Sequence, residues 1–187
     1  MESAEIKYLA KSIGADLVGI APASTLEGIP GYSPSKLQPG AKSVIVMAKR
    51  LLKGSLGKGR GQPVAWATIH LNLKLNEIAY EVARHLEDEG YGAFPIFFLY
   101  MTFSPPEDER GRDSILATPN FSYVPASLVA GLGERGLNNL LITPEYGPRV
   151  RLVVVITDAT LKPDEPRQEK LCPGLECGLC LEACPSG

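Results

Sequence analysis

All four cysteines of the chain fall within its last sixteen residues, at the spacing Cys172-x4-Cys177-x2-Cys180-x3-Cys184, with Pro185 next. Thiolates crowded this closely can converge on one soft metal centre, and no other feature of the sequence limits the chemistry as much. The C-x2-C-x3-C-P half has the spacing of cysteine runs that hold a 4Fe–4S cluster. Tight turns between the cysteines let several sulfurs face one point, and the proline, lacking an N–H, ends the local turn. The bacterial run would place a further cysteine at position 174, which is Gly174; Cys172 stands two residues earlier. Two other readings compete. A disulfide pair needs an oxidising compartment, and a structural zinc site ordinarily uses two separated C-x2-C pairs. Neither matches the C-x3-C-P ending as well as iron and sulfide do. Cys172, Cys177, Cys180 and Cys184 are therefore the candidate metal ligands, enough for one complete cluster.

The acidic start Met1-Glu-Ser-Ala-Glu5 lacks the basic and apolar regions of a signal peptide and carries no twin arginine. No apolar run approaches the roughly 20 residues that a membrane-spanning helix needs. These features point to a cytoplasmic, reduced protein. The 187 residues are 44% apolar and 21% charged, a globular composition sufficient for one sizeable core. The formal net charge of −2 gives no electrostatic case for nucleic acid or an anionic membrane as partner.

Along the chain, apolar periodicity alternates between helix and strand. Ile6, Leu9, Ala10 and Ile13 line one face of a helix that Ser3 can cap and Gly14 can end. Residues 16–21 and 43–48 read as short buried strands, separated by a proline- and glycine-containing loop at 23–40. Residues 52–61 combine four glycines with three basic residues and read as a mobile loop; no phosphate-binding motif stands there. Leu71, Leu75, Ile78, Ala79, Val82 and Leu86 hold a 3.6-residue period in the longest helix, with Pro63 in its first turn and Gly90 after its end. Lys74, Glu77, Glu81 and Arg84 form its solvated side, and neither His70 nor His85 is assigned a role. An apolar strand over 94–100 and a long polar loop over 102–120 follow. A short helix over 125–130, with Ser122 as its cap, leads into Gly131-Leu-Gly133-Glu-Arg-Gly136. Three glycines in six residues let backbone approach something closely. Residues 140–143 form a strand, 144–147 a turn and 149–157 a strand apolar enough to be central. Residues 162–170 read as a charged linker to the cysteines. The interleaving of helices and strands predicts an α/β (α+β) sandwich.

Gly131-Leu-Gly-Glu-Arg-Gly-Leu-Asn-Asn-Leu-Leu-Ile-Thr-Pro-Glu-Tyr-Gly-Pro-Arg-Val-Arg151, then Ile156-Thr-Asp158, then the cysteine run, resembles the superfamily of epoxyqueuosine reductases and corrinoid reductive dehalogenases. Gly14-Ala-Asp-Leu-Val-Gly-Ile20 and Ala41-Lys-Ser-Val-Ile-Val46 add to the likeness. Thr143-Pro-Glu-Tyr-Gly147 has the dehalogenase-like form of its turn. Glu134 and Leu137 stand where epoxyqueuosine reductases carry a tryptophan and a lysine. The resemblance implies a nitroreductase-like, corrinoid-binding domain over residues 1–165. Residues 166–187 would then be the start of a ferredoxin-like 4Fe–4S module, truncated where the chain stops. It implies two cofactors, a 4Fe–4S cluster and cobalamin, with electrons passing from cluster to cobalt. It further implies that Gly131, Gly133, Asn138, Thr143 and Tyr146 line the corrin. Epoxyqueuosine reductases carry an aspartate proton donor in the segment that here reads Asn120-Phe-Ser-Tyr-Val-Pro125, with no acid, and Tyr123, its nearest phenol, is the candidate proton donor. The expected partners are a small-molecule substrate and an external electron donor such as ferredoxin or flavodoxin, with neither nucleic acid nor membrane; a homodimer is left open. The alternative function is a non-catalytic corrinoid-binding or electron-transfer module.

Overall fold

The computed structural model describes residues 1–29, 33–56, 62–97 and 121–185. Its framework is a four-stranded antiparallel sheet in the order β1 (Leu17–Pro22), β2 (Ser43–Arg50), β6 (Val150–Thr157), β3 (Ala93–Ile96). The two central strands pair with Ile45 opposite Val155 and Val46 opposite Val154. Successive side chains point to opposite faces, so each strand feeds two cores. Ile45, Met47, Val153 and Val155 meet Ile6 and Ala10 of α1 (Ser3–Ser12) and Leu75, Ile78, Val82 and Leu86 of α3 (Gln62–Asp88). Val44, Val46, Val154 and Ile156 meet Ala126 and Ala130 at α4 (Tyr123–Val129), together with Leu132 and Leu141. A strand covered on both faces gains nothing from polar residues, which is why β2 and β6 read as continuous apolar runs despite their antiparallel pairing. A small ribbon of β4 (Glu134–Arg135) and β5 (Leu141–Ile142) lies beside α4. The result is the α/β sandwich expected from the sequence.

Several local expectations change. Ser3 is the first residue of α1 rather than its cap; Glu2 holds the cap position and Ser3 Oγ is buried without a partner. Ile13 lies past the helix end and is exposed. The stretch 23–40 contains a 3₁₀ turn at Ala23–Leu26 and the short helix α2 (Pro34–Leu37). Ser122 sits at the N-cap of α4 but makes no side-chain cap bond. Of the strand expected over 94–100, the described part is β3; residues 98–100 and the loop at 102–120 lie outside the described residues, as do 57–61 of the basic glycine stretch. The outer side of α3 is not purely charged, because Trp66, Leu73 and Tyr80 are exposed there. Among the described residues, no helix is long and apolar enough to cross a membrane.

Candidate functional site

Residues 161–172, which include the 162–170 stretch read from sequence as a linker, lie as a strap along the domain. The Leu161 N–H donates to Ser43 Oγ at 3.0 Å. Asp164 then mimics a strand residue: its N–H donates to the Ile20 carbonyl at 2.9 Å, and its Oδ2 accepts the Ile20 N–H at 2.9 Å. Its other oxygen pairs with Lys7. Since β1 is an edge strand, this also covers polar groups that an exposed edge would leave open. Arg167 Nε donates to the Gly131 carbonyl at 3.1 Å. The strap ends where Glu134 Oε2 accepts the N–H groups of Leu171 and, at 3.0 Å, of Cys172. Those two donors hold the Glu134 carboxyl below its ordinary pKa.

The four thiols differ in their surroundings. Cys172 is half-buried, and its Sγ receives the Leu137 N–H at 3.5 Å. Cys177 and Cys184 are exposed and Cys180 is half-buried. Their backbone is held by local bonds through a 3₁₀ turn at Gly174–Glu176 and the helical turn α5 (Leu179–Glu182). Gly174 and Gly178 have φ of 69° and 60°, a conformation that glycine adopts without a Cβ penalty. Among the described residues, no three metal-ligating side chains already converge. The donor set itself, four thiols in thirteen residues, suits iron and sulfide.

Tyr123 opens α4 and packs edge-to-face on Phe121, with ring centroids 6.0 Å apart. Its hydroxyl donates to the Ile96 carbonyl at 3.5 Å. Burial pushes its pKa up to about 12, opposed by the nearby Arg151 charge. Arg151 Nε donates to Asn72 Oδ1 at 3.2 Å, which fixes the guanidinium beside the same hollow. The phenol therefore stays neutral well above the neutral pH range. Its neutral form is favoured by folding, so the associated stability is intact below about pH 10 and is lost as pH rises from there through 12. Alkaline titration followed by phenolate absorbance should show a phenol ionising near pH 12 that Tyr123→Phe removes. If the late ionisation survives in that variant, it belongs to another tyrosine.

The residues expected to line a corrin do not share one hollow. Tyr123 borders a cavity of about 190 Å³ with Leu140, Leu141, Val150, Arg151 and Leu152. Tyr146 borders another of about 300 Å³ with Arg50, Lys53 and Arg149, its ring 5.4 Å from the Arg50 guanidinium carbon. Thr143 is buried, and its hydroxyl serves its own turn, donating to the Gly147 carbonyl and accepting the Tyr146 N–H. Asn138 is exposed and its Oδ1 accepts the Leu140 N–H at 3.1 Å, closing the tip of the β4–β5 ribbon. Gly131 and Gly133 approach the chain's own backbone, the Glu165 carbonyl and the Ile142 carbonyl respectively. A third cavity, bordered by Asp164, Glu165 and Arg167 of the strap, is about 340 Å³. Pockets for drug-sized ligands span roughly 300–1,000 Å³, and none of these three hollows encloses a tetrapyrrole. Glu134, Asp164 and Arg151 were not picked out as site residues from sequence. Glu134 and Arg151 fall inside the glycine-rich family segment but nothing local gives them a role, and Asp164 lies outside it; their importance arises from contacts across 38, 79 and 144 positions respectively.

No protein-family model matches the chain. Over 113 residues it is 38% identical to the tetrachloroethene reductive dehalogenase of Dehalobacter restrictus, covering 59% of this chain and 16% of that protein. Over 209 aligned residues it is 28% identical to the epoxyqueuosine reductase of Bacillus subtilis, covering 98% of this chain and 50% of that protein. The chain is similar in sequence to both groups. It spans half or less of these curated reductases. The reductive dehalogenase NpRdhA in complex with 3-bromo-4-hydroxybenzoic acid superposes with a TM-score of 0.74 at 26% identity, over 96% of this chain and 24% of that one. An epoxyqueuosine reductase solved with a tRNA stem loop shares the fold, with a TM-score of 0.67 at 21% identity, over 97% of this chain and 51% of that one. Reductive dehalogenases and epoxyqueuosine reductases are corrinoid and 4Fe–4S proteins. The tRNA in the latter structure removes support for excluding nucleic acid on net charge, since a whole-chain sum says nothing of a local basic face.

Proposed function

We propose that this chain supplies the electron-entry side of a cytoplasmic corrinoid and iron–sulfur reductase. In this reading Cys172, Cys177, Cys180 and Cys184 hold a 4Fe–4S cluster, and the ribbon, Tyr123 and Arg151 form the wall against which cobalamin rests. The bond from the Leu137 N–H to Cys172 Sγ carries the reading, because it seats one thiol of the cluster motif directly on the glycine-rich segment. When bound, the cluster supplies low-potential electrons and the corrinoid a cobalt centre able to use them. The chain's own part is to fix the first thiol through Glu134, to keep a proton on Tyr123 and to hold a positive charge at Arg151. The domain division at residue 165 belongs to this proposal, with the strap joining the two parts. The substrate is a small molecule, or a modified base in tRNA as in the epoxyqueuosine reductases, and the donor a ferredoxin or flavodoxin.

Anaerobic reconstitution with iron and sulfide should load about four irons per chain. Cys180→Ser should lose the intact cluster. Adding cobalamin should shift its visible spectrum, and a low-potential reductant should then support repeated turnover. A spectral shift without turnover would leave the alternative, a non-catalytic electron-transfer or corrinoid-binding module. Failure to take up iron, together with an unchanged cobalamin spectrum at high protein concentration, would reject both.

A further inference from the structure

The four cysteines are not held alike, and the difference falls at the longer gap in their spacing. The backbone hydrogen bonds donated within residues 174–184 are local, joining residues three or four apart. Cys172 instead belongs to the domain. Glu134 Oε2 grips the N–H groups of Leu171 and Cys172, and the Leu137 N–H points at the Cys172 sulfur. Glu134 is placed for this by β4, whose partner across the ribbon is Ile142. Leu137 follows three residues later, past the tightly packed Gly136. One short stretch, 134–137, therefore fixes both the main chain and the sulfur of one ligand.

We infer that Glu134 is a positioning residue for the cluster: it sets Cys172 as the one ligand preorganised by the α/β domain, and it delivers the Leu137 N–H as a tuning donor to that sulfur. The inference rests on the cysteines holding a cluster, as proposed above. Its physical logic has two parts. A ligand already oriented does not have to be ordered when metal arrives, and neighbours that orient ligands raise metal affinity. Hydrogen bonds to cluster-ligating sulfur stabilise the reduced, more negative cluster and so raise its potential. The remaining three thiols, on their own short turns, would close around the fixed one.

Glu134→Ala and Glu134→Gln separate this from a merely structural role. In the metal-free chain, amide exchange at Leu171 and Cys172 should accelerate at least tenfold in Glu134→Ala. It should accelerate less in Glu134→Gln, whose amide oxygen still accepts. After anaerobic reconstitution both variants should still load iron, and because both lose the carboxylate charge beside Cys172 they are compared with each other: the alanine variant, in which Cys172 is also released from the Leu137 N–H, should titrate at a more negative midpoint potential than the glutamine variant. Unchanged exchange in Glu134→Ala overturns the anchoring, and equal potentials in the two loaded variants overturn the tuning. A parent chain that takes up no iron sinks the functional reading and the inference with it, and is distinguished by the iron analysis of the parent alone.

Discussion

Gly133→Ala is expected to lower the stability of the metal-free, corrin-free chain by about 3 kcal/mol, the upper part of the range for overpacking a fitted interior. A Cβ built at Gly133 would lie 2.1 Å from the Ile142 carbonyl oxygen and 2.9 Å from its carbon. Both are backbone atoms, so no side chain can rotate away. Relief would require β4 and β5 to separate, and these two strands pair Glu134 with Ile142. For a domain of this size, about 3 kcal/mol corresponds to a fall in Tm of roughly 6–12 °C. Thermal unfolding of the purified variant measures it. A glycine reserved only for a corrin would leave the unloaded chain as stable as the parent, so a fall below about 0.5 kcal/mol would show that the ribbon yields and that the packing reading of this position is wrong.

The same residue illustrates what a sequence conveys. Three glycines in six residues announce close approach, and the structure confirms close approach, but it is to the chain's own carbonyls at Ile142 and Glu165. Periodicity is a local signal. It located both central strands and α3, because Val44 to Met47, Val153 to Ile156 and Leu75 to Leu86 each carry their burial in their own spacing. The cysteine tail was legible for the same reason: its four thiols lie within thirteen residues. What stayed hidden is non-local. Residues 162–170 are charged and proline-containing, and nothing in that composition shows that Asp164 completes the edge of β1 or that Arg167 reaches Gly131. Glu134 was visible only as a position where a relative has tryptophan, and its carboxylate gains meaning from two amides almost forty residues later. Ser3 was read as a cap by residue type alone, whereas the chain places Glu2 there.

Asp164→Ala should cost about 2 kcal/mol and release the strap from its first anchor. The carboxylate accepts the Ile20 N–H at 2.9 Å and pairs with Lys7, while the backbone N–H of the same residue donates to the Ile20 carbonyl. Hydrogen bonds to charged groups contribute roughly 1.5–3 kcal/mol. The ion pair adds little more, because both side chains are about a third exposed and solvent screens them. At about 2 kcal/mol the expected fall in Tm is roughly 4–8 °C, and Asp164→Asn, which keeps an oxygen for the Ile20 amide, should lose less. Hydrogen exchange adds the spatial test. The Ile20 amide loses its carboxylate acceptor and should exchange faster, whereas Leu171 and Cys172 keep Glu134 and should change little. If all three accelerate together, the strap lifts as one unit, and the first thiol owes its place to the edge of the sheet as much as to the ribbon. If none does, the strap is held by its other contacts, and the cysteine tail is fastened more firmly than Asp164 alone can account for.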